Sequence, residues 1–302
     1  MRRPVLISLA TAAMAAVVLN SCVSPEPPIR RAVPTAGDWS QQPAAVARIV
    51  RRPATSAPAV AAEAAIVIDV ETGQVLYEKN SLSPRAIAST QKLLTALCVL
   101  DAGDLDKRVT ITASDGNVEP TKLGIKAGEV YTRRQLLDVL IVKSCNDVAR
   151  ALARDVAGSQ EGFAARMNAK ARALGMRNSN FRNPHGLTEP GQYSTARDLA
   201  ILGRAAYGSP VLRRSMSTKS LTFRFNDGRT QTLENTNRVM KKLSFCNGMK
   251  TGTTNASGRC LVSSGALNGR SVVVVVLKSN TPNVWSDSEK LLRWALNCPE
   301  ES

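Results

Sequence analysis

Strand-forming sequence lies at both ends of residues 62–302 of this 302-residue chain, with helix-forming sequence between, and that order leaves few folds open. Residues 65–78 read as two strands around Glu71-Thr72-Gly73, with Val67, Val75 and Leu76 among the β-formers. Helical patterning covers 89–100, ending near Gly103, then 133–157, 161–174 and 194–206. Strands return at 219–225, 247–253, 259–265 and 271–278, the last built on Val272 to Leu277. An amphipathic helix follows from about Ser286 to Asn297. This order predicts an α/β protein of the α+β type: an antiparallel sheet flanked by helices, with an inserted helical subdomain. At 43% apolar residues, the chain can bury one large core or two modest ones.

Three short motifs carry chemistry. In Ser89-Thr90-Gln91-Lys92 a nucleophile and a base lie three residues apart, hence on one helix face, so the lysine stem can reach the hydroxyl. Ser89 is expected to open that helix, where free N–H groups and the dipole favour an attacking oxyanion. Alone, such a motif means a capped surface helix. It is followed, however, by Ser144-Cys145-Asn146 and by Lys250-Thr251-Gly252. The Ser-Cys-Asn triplet falls inside the helical stretch 133–157, and its polar groups predict a break there. A free lysine is almost all ammonium at neutral pH, but burial and a second cation, Lys250, would free the Lys92 amine.

The three motifs, in this order, resemble the signature of penicillin-binding proteins and serine β-lactamases. The neighbouring residues narrow this. Asn183-Pro184-His185-Gly186-Leu187, Gly191-Gln192-Tyr193-Ser194-Thr195-Ala196-Arg197-Asp198, Ala65-Ile66-Val67-Ile68-Asp69 with Thr72-Gly73, and Asn247-Gly248-Met249 before Lys250 look like the D-alanyl-D-alanine carboxypeptidase family. The resemblance runs from about residue 62 to about 297. It implies an active site between sheet and helical part, peptidoglycan stem peptides as substrate, β-lactams as covalent inhibitors, and no cofactor. Ser89 would form the acyl-enzyme and Lys92 take its proton. Ser144, hydrogen-bonded to both lysines, would pass a proton to the leaving amine, and Asn146 would orient the acyl part. Lys250, Thr251, Gly252 and Thr253 would line the substrate, the N–H groups of Ser89 and Thr253 forming an oxyanion hole.

One family feature is missing. Relatives carry an arginine just before the last helix, for the terminal carboxylate of the peptide, and Val284 stands there. Arg259, nine residues after Lys250, is the candidate substitute, the alternative being a solvated edge-strand arginine. Without an efficient deacylating base (no Glu-x-x-Leu-Asn pattern lies between Asn146 and Lys250) a β-lactamase is disfavoured. A D,D-endopeptidase acting on cross-links, or a penicillin-binding module without turnover, remain as alternatives. His185 is the sole histidine and sits in a turn, a poor setting for a Ser-His-Asp triad.

The N-terminus reads as an export signal. Arg2-Arg3 precede 15 residues, Val5 to Leu19, that are too few to span a bilayer comfortably. Leu19-Asn20-Ser21-Cys22 resembles a lipoprotein cleavage box, unusual at Asn20, giving a signal peptide over 1–21 and a lipid on Cys22; ordinary cleavage nearby is the alternative. Seven prolines in residues 23–60 make 22–61 a tether, followed by the catalytic domain at 62–302. Family members with an added β-rich domain and a C-terminal membrane helix carry both beyond the last helix, so the anchor here is expected at the N-terminus, on the periplasmic side of a bacterial membrane. The formal charge of +16 reads for the most part as a generally basic surface, and in an exported protein it suits an acidic cell-wall polymer, while 4% aromatics and no recognition motif argue against nucleic acid. Five cysteines remain besides Cys22, with free thiols the default although Cys246 and Cys260 flank one hairpin. No spacing suggests a metal site. Metabolic labelling with an alkyne fatty acid should mark the wild type and not Cys22→Ser; equal labelling of both would refute the anchor.

Overall fold

The computed structural model describes residues 53–298. Cys22, the expected signal peptide and most of the expected tether lie outside them. The architecture rests on a five-stranded antiparallel sheet formed by β1 (Ala64–Asp69), β2 (Val75–Lys79), β7 (Cys246–Thr254), β8 (Gly258–Leu267) and β9 (Arg270–Ser279), in the order β2-β1-β9-β8-β7. Thus β1 from the start of the domain is zipped between β2 and the last strand, as the order of elements predicted. The valine-rich segment is the middle strand, and its register alternates between two cores. Val273, Val275 and Leu277 join Ile66, Ile68 and Val262 against the main helical layer, while Val272, Val274 and Val276 join Ala65, Val67 and Leu261 on the opposite face. A strand buried on both faces has no polar side to present, which is why its sequence does not alternate.

The helical part comprises α1 (Lys92–Asp101), α2 (Arg133–Val142), α3 (Asn146–Ala157), α4 (Gln160–Leu174), α5 (Ala196–Gly208) and α6 (Pro210–Ser217). The predicted stretch 133–157 is two helices. A capping box between Thr132 and Gln135 starts α2, and the chain leaves helical geometry at Ser144, whose φ is +71°, before Cys145 caps α3. Two hairpins went unpredicted in whole or part. In one, β3 (Arg108–Thr110) pairs with β4 (Val130–Thr132); in the other, β5 (Ser220–Arg224), expected, pairs with β6 (Thr230–Glu234), which was not. Each of β3, β4 and β6 buries a single residue, so none offers a readable period. The short α7 (Val239–Lys242) and the terminal α8 (Asn283–Ala295) cover the second face; α8 begins three residues before the expected Ser286.

Residues 53–61, read from composition as tether, are docked on the domain. Thr55 O accepts from Trp294 Nε1 at 2.9 Å and Val60 O from Lys79 Nζ at 3.0 Å. The buried Asp287 carboxylate of α8 accepts from the N–H groups of Ala61 and Ala62 at 3.1 and 2.9 Å. Proline content misled here because main-chain groups make these bonds. Cys98, Cys145, Cys246 and Cys260 are buried free thiols; Cys246 and Cys260 lie on adjacent strands but face Gly265 and Gly252. Asp287→Ala strands two N–H groups at the entry to β1 and should lower the unfolding free energy by about 2–4 kcal/mol. Urea denaturation measures this; a loss under about 0.5 kcal/mol would mean that water substitutes for the carboxylate.

Candidate active site

The three motifs converge at the edge of the sheet. Ser89 sits in a 3-10 turn, Ala88–Gln91, leading into α1, so it precedes the α-helix instead of opening it as expected. Lys92, in the first turn of α1, and Lys250, on β7, have no exposed surface. Lys92 Nζ lies 2.8 Å from Ser89 Oγ, 2.7 Å from Asn146 Oδ1 and 2.7 Å from His185 O. Burial first, then the nearby Lys250 charge, hold the Lys92 amine well below the ordinary lysine range, and burial lowers Lys250 to about 7. Neutral Lys92 has two N–H groups and one lone pair. The two carbonyl oxygens take both N–H groups, which leaves the lone pair for the Ser89 hydroxyl. That is the geometry of a base aimed at its nucleophile. Cys145 packs close by, but burial pushes its thiol up to about 12, so it adds no charge.

The turn is held from two sides with no room to spare. Gly186 has φ +92°, and a Cβ there would lie 2.2 Å from Ala88 O; at Gly252 a Cβ would lie 2.9 Å from Ile87 O and 3.0 Å from Ser89 N. From α1 and its leading turn, three side chains reach three consecutive carbonyls: Gln91 to Asn183 O, Lys92 to His185 O and Thr95 to Pro184 O. Ala88, Thr121, Ser144 and Met249 all have positive φ, between +49° and +97°. Each stands beside or within the motifs or the cleft, at a cost of order 1–3 kcal/mol per residue that the surrounding packing must offset.

A cleft of about 450 Å³ opens on Ser89, Ser144, Thr251, Gly252, Thr253 and Arg259, so the structure brings these expected residues to one surface. Two expected contacts differ. Ser144 Oγ makes no hydrogen bond to Lys92 or Lys250: Lys92 is filled by Ser89, Asn146 and His185, and Lys250 Nζ donates to Thr251 O at 3.0 Å. The Asn146 amide accepts from Lys92 at one end and donates one N–H to Pro120 O at the other, so it positions the lysine and keeps its second N–H for a further acceptor.

The model of the family described as D-alanyl-D-alanine carboxypeptidase matches residues 51–281. The chain belongs to that family. It is 37% identical over 240 residues to D-alanyl-D-alanine carboxypeptidase DacB2 of Mycobacterium tuberculosis, covering 77% of this chain and 82% of that one. To DacF of Bacillus subtilis it is 34% identical over 233 residues, covering 76% of this chain but only 60% of DacF. A crystal structure of a D-alanyl-D-alanine carboxypeptidase from M. tuberculosis superposes with a TM-score of 0.76 at 35% identity, over 80% of this chain and 94% of that one.

In this carboxypeptidase-family chain Val284 is buried in the first turn of α8 and lines the cleft together with Arg259. Arg259 Nη1 donates to Thr253 Oγ1 at 3.0 Å, which turns the guanidinium toward the β7 edge where substrate would lie. His185 approaches Ser89 through its carbonyl. Its imidazole is buried, lowered to about 3 chiefly by that burial, and Nδ1 accepts from Leu187 N–H at 3.3 Å. No triad involves it. The His185 carbonyl and Thr236, whose hydroxyl accepts from Thr251 Oγ1 at 2.7 Å, escaped sequence reasoning. A carbonyl has no side-chain signature, and Thr236 belongs to no motif; the Asn-Pro-His-Gly-Leu turn was the only available signal for the first.

An acylation that uses the Lys92 amine as its base should slow as pH drops through the depressed value and stay fast well below the usual lysine range. Stopped-flow labelling by a fluorescent penicillin from pH 5 to 10 measures this, and a limb centred near about 10, the free-lysine value, would exclude Lys92 as the base.

Proposed function

We propose that this chain is a serine D-Ala-D-Ala carboxypeptidase that hydrolyses peptidoglycan stem peptides through a Ser89 acyl-enzyme. The observation that carries the reading is the buried amine of Lys92 with both N–H groups held by carbonyls and its lone pair facing Ser89 Oγ. In the first step Lys92 takes the Ser89 proton and Oγ bonds to the carbonyl carbon of the penultimate D-alanine. The resulting oxyanion would rest on the N–H groups of Ser89 and Thr253, each worth a few kcal/mol in the transition state. Collapse breaks the C–N bond. The leaving amine takes the proton back from Lys92 by way of Ser144, whose hydroxyl is uncommitted at the cleft wall. Water then attacks the ester, its proton going to Lys92, and returns Ser89. Lys250 raises the cost of a charged Lys92 and so keeps the base neutral. Thr251 and Gly252 give the substrate an extended edge, while Arg259 takes the terminal carboxylate.

β-Lactams would enter as acylating mimics of the same dipeptide. The reading places the enzyme outside the inner membrane of a bacterium, held by lipid at Cys22.

Incubation with fluorescent penicillin should label the wild type covalently and leave Ser89→Ala unlabelled; a labelled Ser89→Ala would move the nucleophile elsewhere. On a peptide ending in D-Ala-D-Ala, Arg259→Ala should lower kcat/KM by one to two decades, as expected for a charge-assisted hydrogen bond of about 1.5–3 kcal/mol, and should lose little on the C-terminally amidated peptide. Equal losses on both would point to damaged strand packing.

A further inference from the structure

Asp147 follows the Ser144-Cys145-Asn146 motif, in the first turn of α3, and has no exposed surface. Its carboxylate is held by three main-chain N–H groups: Oδ1 accepts from Leu123 and Val148 at 3.0 and 2.9 Å, and Oδ2 from Gly124 at 2.9 Å. Asn146 grips the same loop through its carbonyls. Its N–H donates to Thr121 O at 2.8 Å and its side-chain amide to Pro120 O. Among the described residues, these bonds to Asn146 and Asp147 are the only ones that the main chain of residues 119–125 makes. Leu123 and Ile125 also bury their side chains in the main core, but apolar contact is non-directional and does not aim a carbonyl. Thr121 holds φ +63°, a conformation that the loop does not adopt by its own preference.

The loop matters to the base through the Asn146 amide. That amide can present either its oxygen or its NH2 to Lys92. Pro120 O accepts hydrogen bonds and cannot donate them, so it admits only the NH2 end. The oxygen is thereby turned to Lys92 Nζ, at 2.7 Å. In the reverse orientation two carbonyl oxygens would meet at Pro120, and the NH2 would face the Lys92 lone pair and take it from Ser89. The charge on Asp147 does not itself serve the base. Burial and Lys250 dominate at Lys92, and Asp147 opposes both by favouring the ammonium. A carboxylate that works against the base in charge, and is committed to loop N–H groups, has a geometric task.

We propose that Asp147 is a positioning residue for the general base: it fixes the 120–124 loop so that Pro120 O locks the Asn146 amide with its oxygen toward Lys92. The inference rests on the Ser89 reading and deepens it. Asp147 makes no hydrogen bond to Ser89 or Lys92 and acts on them through Asn146.

Stopped-flow acylation of the whole chain by a fluorescent penicillin, followed across pH, tests this. The titratable groups around Lys92 are Lys250 on β7, Cys145 and Asp147 at the head of α3, and His185 in the 183–187 turn. Asp147→Asn removes a charge that favours the ammonium, so the acid limb should move to lower pH while the plateau rate falls about ten- to a hundredfold. Loosened packing alone would not give that pair of changes, because water reaching Lys92 would move the limb up toward the ordinary lysine range. With Asn146→Ala already in place there is no amide to orient, and adding Asp147→Asn should change the plateau by less than about twofold. Gly124→Ala strains the loop at φ +82° with no atom within 4 Å of the new Cβ. It leaves the carboxylate in place, so the plateau should fall with the limb unmoved. An unchanged plateau in Asp147→Asn, an upward shift of its limb, or equal losses with and without the Asn146 amide overturns the proposal. Should that variant not fold, an unchanged plateau in Gly124→Ala does so. A wild type that forms no penicillin adduct at Ser89 overturns the Ser89 reading instead; normal acylation indifferent to Asp147 overturns this inference alone.

Discussion

A lysine with no access to water governs the rest of the molecule. An ammonium at Lys92 would sit in a low-dielectric interior beside a second buried lysine, at a cost of several kcal/mol, so the group resides there as an amine. An amine has direction, which an ammonium lacks. Its lone pair is fixed only if both N–H groups are, and these depend on Asn146 at the start of α3 and on the carbonyl of His185. Helix α1, the α2–α3 break and the 183–187 turn must therefore hold their relative positions to within a hydrogen-bond length. The clamp of Gln91, Lys92 and Thr95 on three successive carbonyls, with Gly186 pressed on Ala88, meets that demand.

The strained backbone follows from the same requirement. Ala88, Ser144, Thr121 and Met249 hold conformations that L-residues avoid, and three of the four are within or next to a motif. A turn free to relax at Ala88 would carry the Ser89 hydroxyl away from the lone pair. The sheet, buried on both faces at β9, supplies the rigid edge against which this strain is borne.

Legibility of the sequence followed the carriers of the information. Where side chains carried it, as in the valines of β9, the apolar positions of α2 and α3, or the polar interruption at Ser144-Cys145-Asn146, fold and site could be read. The prediction that burial and Lys250 would lower Lys92 also held. Where the main chain carried it, reading failed. The His185 carbonyl, the docking of residues 53–61 and the hairpins with one buried residue per strand leave no residue pattern. The expected bonds from Ser144 to the two lysines are not formed for a different reason: three nearer partners fill Lys92, and Lys250 turns to Thr251 O. The offset of Arg259 along β7 and β8 could be read from the sequence, whereas its place in one cleft with Ser89 and Ser144 is visible only in the fold.

The attachment of residues 53–62 to α8 also defines a mechanical path. Tension applied to the chain ahead of residue 53 reaches the Trp294 and Asp287 contacts first and then β1. That strand is bonded along both edges, to β2 and to β9. Pulled along its axis, it loads all its rungs together in shear instead of unzipping them one at a time. A load entering from that side would therefore meet the fold along a strand bonded on both edges.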